Sequence, residues 1–89
     1  MAGIEQNKEI TMDQTNIDLR LFASLASQTP ENAAHYPIKA GTTIAQLLEE
    51  IKIPLKNARI IFINGIRSTM NAPLYGGERV GIFPPIGGG

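Results

Sequence analysis

The chain has 89 residues, with no Cys, no Trp and one His, a length that holds one small domain and no second. Apolar residues make up 43% and charged residues 18%, a globular rather than disordered balance. Eight basic side chains offset eight acidic ones, which excludes a bulk field able to hold a nucleic acid or an anionic membrane. The absence of cysteine excludes a disulfide framework, a thiolate metal site and a catalytic thiol. No apolar run approaches a membrane span, and the polar N-terminus lacks the core of a signal peptide, so a soluble cytoplasmic domain is expected.

Residues 1–16 carry Glu5, Lys8, Glu9 and Asp13 with scattered apolar side chains and read as a flexible arm. The domain spans 17–83. Residues 17–22 alternate: Ile17, Leu19 and Leu21 share one face, Asp18, Arg20 and Phe22 the other, the pattern of a half-buried strand. The turn residues of 23–35 predict a loop with room for one helical turn. A second strand, 36–40, contains Pro37 and belongs at an edge. Thr43 and Gln46 form a capping box, followed by Ile44, Leu47, Leu48 and Ile51 at the spacing of one buried helical stripe. Pro54 closes the helix. Residues 59–64 form a third strand ending in an Asn64-Gly65 turn. Residues 67–74 are irregular, with room for one short strand. A turn at 75–78 leads into the last strand, 79–83, and residues 84–89 are a tail. The order β-β-α-β-β implies an α+β roll, a mixed sheet of four or five strands over one helix.

Chemistry has few places to sit in this chain. His35 is the only imidazole; Glu31 precedes it by one helical turn, but the segment reads as loop and no third ligand is in view, so an exposed histidine is the better reading and no metal is expected. Ser24, Ser27 and Ser68 have no histidine placed to activate them. The 76–81 glycines share a spacing with phosphate loops, yet Ile82-Phe83 follows where Lys-Ser/Thr is needed, and a strand where a helix is needed. The Lys and Arg residues are scattered along the sequence, as on a solvated surface.

The C-terminus is different. Pro84-Pro85 stiffens the exit from the last strand, and after Ile86 come only Gly87, Gly88 and Gly89. A stiff stem followed by bare backbone suits a chain end that threads a narrow channel and presents its own α-carboxylate. A carboxylate is a poor electrophile until activated, for example as an acyl-adenylate. With no nucleotide site of its own, this chain needs a partner enzyme for that step.

The stretch 74–89, Leu-Tyr-Gly-Gly-Glu-Arg-Val-Gly-Ile-Phe-Pro-Pro-Ile-Gly-Gly-Gly, together with the helix start 43–48 and Ile63-Asn64-Gly65, resembles the ubiquitin-like β-grasp sulfur carriers of the MoaD/ThiS type, most of all the molybdopterin synthase small subunit (MoaD). The resemblance covers about 16–89. Gly87 fills the variable position of the family's ending, whereas the arm is an extension and Arg79 adds one residue between Glu78 and Val80. The resemblance implies a β-grasp fold with a flexible tail. It also implies adenylation of Gly89 by an E1-like adenylyltransferase of the MoeB/ThiF type using ATP and magnesium, and conversion to a thiocarboxylate by a sulfur donor protein. Insertion of the tail, Pro84 to Gly88, into a MoaE-like large subunit would follow, giving sulfur to a pterin that binds molybdenum or tungsten. The chain would then be a co-substrate or subunit without catalytic residues of its own beyond the Gly89 carboxylate. The alternatives are a ThiS-type carrier for thiazole synthesis, a ubiquitin-like modifier joined to lysines through Gly89, and an interaction domain with an inert tail.

One further expectation comes from alternation. With one helix on one face, Val80 and Ile82 turn inward, and Phe22, Phe83 and Phe62 are left on the open face as an apolar patch for a partner.

Overall fold

Strand β1 runs from Gln14 to Leu21 in the computed structural model, which describes residues 14–85. It begins three residues before Ile17, inside the stretch expected to be arm, because Gln14, Thr15 and Asn16 pair with Lys39, Ile38 and Pro37 of β2. The expectation for 1–13 lies outside the described residues. Strand β2 (Tyr36–Lys39) is at the sheet edge, where the missing N–H of Pro37 costs no interior ladder bond.

Between them, short 3-10 turns at Ala23–Gln28 and Ala33–His35 occupy the expected loop, and each places one apolar residue, Leu25 or Ala33, in the core. Strand β3 (Thr42–Thr43) leads into helix α1 (Ile44–Glu50). The capping box is present: the Gln46 N–H donates to Thr43 Oγ1 at 3.2 Å and the Thr43 N–H to Gln46 Oε1 at 2.9 Å. Ile44 and Ala45 N–H donate to the carbonyls of Ala72 and Met70, which satisfies first-turn donors that the helix itself leaves free. That is the role of the irregular 67–74 stretch, whose Pro73–Leu74 strand (β6) pairs with β3.

The helix stops before Pro54 acts. Lys52 takes the left-handed conformation at φ 64°; its N–H donates to the Glu49 carbonyl and the Ile53 N–H to the Leu48 carbonyl. This is a Schellman ending with lysine where glycine is usual, and Ile53 is buried behind it.

Strands β4 (Ile60–Ile63) and β5 (Ile66–Ser68) form a hairpin. Its two-residue turn has Asn64 at φ 54° and Gly65 at φ 79°, as a type I′ turn requires. Strand β7 (Arg79–Phe83) completes a five-stranded sheet in the order β2-β1-β7-β4-β5. The β1–β7 pair is parallel; the other pairs are antiparallel. The chain between the parallel neighbours β1 and β7 passes through β2, α1, β4 and β5, and α1 covers one sheet face. The core between them is apolar throughout: Ile44, Leu47, Leu48, Leu74, Val80 and Ile82 are fully buried, and no polar or charged residue among those described is buried.

Candidate functional site

The open face of the sheet follows from strand register. Residues directly opposite in a ladder share a face. Asp18 lies opposite Arg79, Gly81 opposite both Arg20 and Phe62, Phe62 also opposite Arg67, and Ile60 opposite Phe83. Their strand neighbours Leu19, Ile61, Val80 and Ile82 point the other way into the core. The face away from the helix therefore gathers the aromatic side chains that alternation had assigned to it.

Phe22 follows β1 directly and donates its N–H to the Ile82 carbonyl, which holds its ring across β7. The rings of Phe22 and Phe83 are stacked, centroids 4.3 Å apart and planes 5° from parallel. Phe62 meets Phe83 edge-on at 6.0 Å. A Cβ at Gly81 would sit 3.3 Å from the Phe22 ring edge, so the glycine lets that ring lie close to the strand. Phe22 is 37% exposed and the other two rings are half-buried. Arg20, Arg79 and Gly65 complete the rim of a shallow hollow around the three rings.

The surrounding charge is arranged rather than random. Arg20 reaches back to Asp18 through two contacts, Nη2 to Oδ2 at 3.0 Å and Nε to Oδ1 at 3.3 Å. This hydrogen bonding, aided by the charges of Arg20 and Arg79, holds the Asp18 carboxyl below the usual aspartate range. It is the one ion pair among the described residues. Both side chains are solvated, so the pair adds little stability. Its effect is to fix the orientation of the two groups beside the rings.

The tail starts at the edge of this face. The Arg59 N–H donates to the Phe83 carbonyl at 2.8 Å and pins the end of β7. Pro84 is half-buried and Pro85 exposed; Arg59, Ile60, Arg67 and Pro85 line a second hollow there. Ile86, Gly87, Gly88 and Gly89 lie outside the described residues.

At the other end of β7, Glu78 carries a structural load that spacing had not assigned to it. Its carboxylate accepts the N–H groups of Tyr75 at 2.9 Å and Gly76 at 2.7 Å, while the Gly77 N–H donates to the Asn16 carbonyl. Gly76, at φ 126°, passes so near Thr15 that a Cβ would run into its side chain. Arg79 opens β7: its N–H donates to Asn64 Oδ1 at 2.9 Å and its carbonyl accepts from the Asn64 N–H at 2.8 Å.

Glu31, His35, Ser24 and Ser27 are exposed, and among the described residues no three His, Cys, Asp or Glu side chains converge on a metal-sized site. No helix among the described residues is long and apolar enough to cross a membrane. The residues that sequence reading passed over are Arg20, Arg67 and Arg79. The signal was present: a two-residue turn at Asn64-Gly65 sets Phe62 opposite Arg67, and alternation sets Arg79 on the same face as Phe83.

The sequence profile of the ThiS family matches residues 19–89, from the second half of β1 through the glycine ending. The chain belongs to the ThiS family. That membership places it among the ThiS-type ubiquitin-like proteins. No match is found among curated proteins. Solved structures agree on the fold. The HVO 2177 protein of Haloferax volcanii is 18% identical with a TM-score of 0.68, over 86% of this chain and 89% of that one. Small archaeal modifier protein 1 of H. volcanii is 14% identical with a TM-score of 0.60, over 81% and 99%. A Pyrococcus furiosus protein described as molybdopterin converting factor, subunit 1, is 22% identical with a TM-score of 0.57, also over 81% and 99%. The β-grasp arrangement expected from the MoaD/ThiS resemblance is the one observed.

Proposed function

We propose that the chain is a sulfur carrier whose reacting group is the α-carboxylate of Gly89. The observation that carries this reading is a family match extending through the terminal glycines. The Gly89 carboxylate attacks the α-phosphorus of ATP in an E1-like MoeB/ThiF-type enzyme, which also supplies the magnesium site, and pyrophosphate leaves. Sulfide from a sulfur donor protein then displaces AMP, giving a thiocarboxylate. Its sulfur is softer and more nucleophilic than oxygen, so the tail becomes a donor.

Phe22, Phe62 and Phe83 dock the domain, and Pro84 to Gly88 thread the channel that leads Gly89 to the nucleotide. The six residues after Phe83 reach about 20 Å at roughly 3.3 Å each, so docking at the rings and chemistry at the tip occur in one encounter. The acceptor of choice is a pterin held by a MoaE-like large subunit, since Phe83-Pro84-Pro85 follows the MoaD ending; a thiazole precursor is the acceptor in a ThiS-type pathway. The fold shared with small archaeal modifier protein 1 favours a second reading, in which lysine amines take the same activated carboxyl in place of sulfide. In either reading the chain acts in the cytoplasm.

The test is ATP–pyrophosphate exchange catalysed by the E1-like enzyme of the same source. Full-length chain should support exchange. Removing Gly89, or appending one residue beyond it, should abolish exchange with the fold intact, because misplacing a reacting atom by about 1 Å can cost about a hundredfold. Full exchange by the extended chain would overturn the proposal.

A further inference from the structure

A net charge of zero conceals an uneven distribution. On the open face three guanidiniums, Arg20, Arg67 and Arg79, surround the aromatic cluster and meet one carboxylate, Asp18, which Arg20 already engages. Arg67 and Arg79 are exposed and form no ion pair among the described residues. Arg67 also reaches the root of the tail, where it shares the hollow at Pro85 with Arg59. Of the other acids among the described residues, Glu49 and Glu50 end α1 on the helix side, Glu31 is exposed in the segment between β1 and β2, and Glu78 is turned into the N–H groups of its own loop.

We propose that Arg59, Arg67 and Arg79 are an electrostatic rim, and that the surface this face fits is a protein pocket, apolar at its centre and edged by carboxylates. This rests on the carrier reading and deepens it by stating the chemistry of the partner's docking site. Rings at the centre and guanidiniums around them match the anatomy of a protein–protein contact, with an apolar core and a charged rim. The rim governs the rate and orientation of encounter more than the lifetime of the complex. With Arg67 and Arg59 beside Pro85, a partner carboxylate between them would also set the direction in which the tail leaves the domain. A single-stranded nucleic acid is the less fitting occupant: it needs ring faces for its bases, and Phe22 and Phe83 spend a face each on one another.

The experiment measures association and dissociation rates of the full-length chain with the E1-like enzyme and ATP over a salt series. The variants are Arg67→Gln/Arg79→Gln on the rim, Arg67→Lys/Arg79→Lys keeping the charge, and Lys52→Gln/Lys56→Gln on the helix side. Wild-type association should slow as salt rises. The glutamine rim variant should associate about tenfold more slowly at low salt, lose most of its salt dependence and dissociate at nearly the wild-type rate. The lysine rim variant and the helix-side variant should retain wild-type association. Three outcomes overturn the inference: a glutamine rim variant with wild-type rate and salt slope, a helix-side variant with the same loss, or an RNA oligonucleotide bound as tightly as the enzyme through the same arginines. Salt-independent association that still needs Phe83 would overturn the rim and leave the carrier reading standing. No association by wild-type chain at any salt would overturn both.

Discussion

On the helix side of the sheet, Ile17, Leu19, Val80 and Ile82 are each no more than 2% exposed, and they are aliphatic without exception. On the other side the same strands carry stacked and edge-on phenylalanines with arginines around them, and Phe22 keeps 37% of its surface in water. Both faces are apolar in part, but they do different work. The aliphatic face is closed by α1 and holds the fold. The aromatic face is closed by nothing among the described residues, and it lies where the tail begins. Apolar surface of this kind, grouped and rimmed by charge, is the usual mark of a binding face. Residues on the two faces should therefore separate stability from docking.

The largest effect belongs to the covered face. Leu48→Ala removes a fully buried side chain and should destabilise the domain by roughly 2–5 kcal/mol in urea unfolding. Any binding defect should follow only from the unfolded fraction. Phe83→Ala sharpens the contrast from the other side. It should cost at most about 1–2 kcal/mol of stability, since the ring is half-buried, yet weaken binding to the E1-like enzyme by about tenfold or more. Equal stability losses from the two variants, with equal binding, would erase the distinction between the faces.

A smaller effect tests the helix ending with the opposite sign. A left-handed non-glycine residue costs about 1–2 kcal/mol, and glycine gives back about 0.5–1 kcal/mol through its unfolded-state entropy. Lys52→Gly should therefore stabilise the domain by about 0.5 kcal/mol, read as a higher urea midpoint with unchanged slope. The smallest effect is at the sheet edge. The Tyr36 hydroxyl donates to Glu50 Oε1 at 2.8 Å, and burial, with this bond and the carboxylate's charge, pushes its phenol up to about 12. A raised phenol stabilises the fold fully below the ordinary tyrosine value near 10 and loses that contribution as pH climbs toward 12. Thermal midpoints between these values should fall less in Tyr36→Phe than in wild type.

Much of this division was legible in the sequence. Strict alternation in 17–22 assigned both faces of β1, the Thr43/Gln46 capping box marked the helix start, and Asn64-Gly65 marked a tight hairpin. What was not legible depended on contacts between distant segments. Gln14 to Asn16 lack an apolar pattern and became strand only because β2 offers them a partner. The 67–74 stretch resisted assignment because its task is to satisfy the first N–H groups of α1, which no local periodicity encodes. The helix end was misplaced because Lys52 adopts a conformation that favours glycine. The arginine rim was hidden for the same reason: Arg67 lies in β5, Arg79 in β7 and Arg59 just before β4, and only the pairing of these segments brings them to one side of the sheet.

The central claim is that Gly89 is the reacting group, and intact-mass measurement of the chain isolated from its native cells tests it most directly. The account predicts a population whose C-terminal peptide carries the mass of one oxygen replaced by sulfur, lost when the E1-like enzyme is deleted. A chain whose C-terminal peptide is always the unmodified carboxylate, free and unconjugated under conditions that demand sulfur transfer, would contradict it.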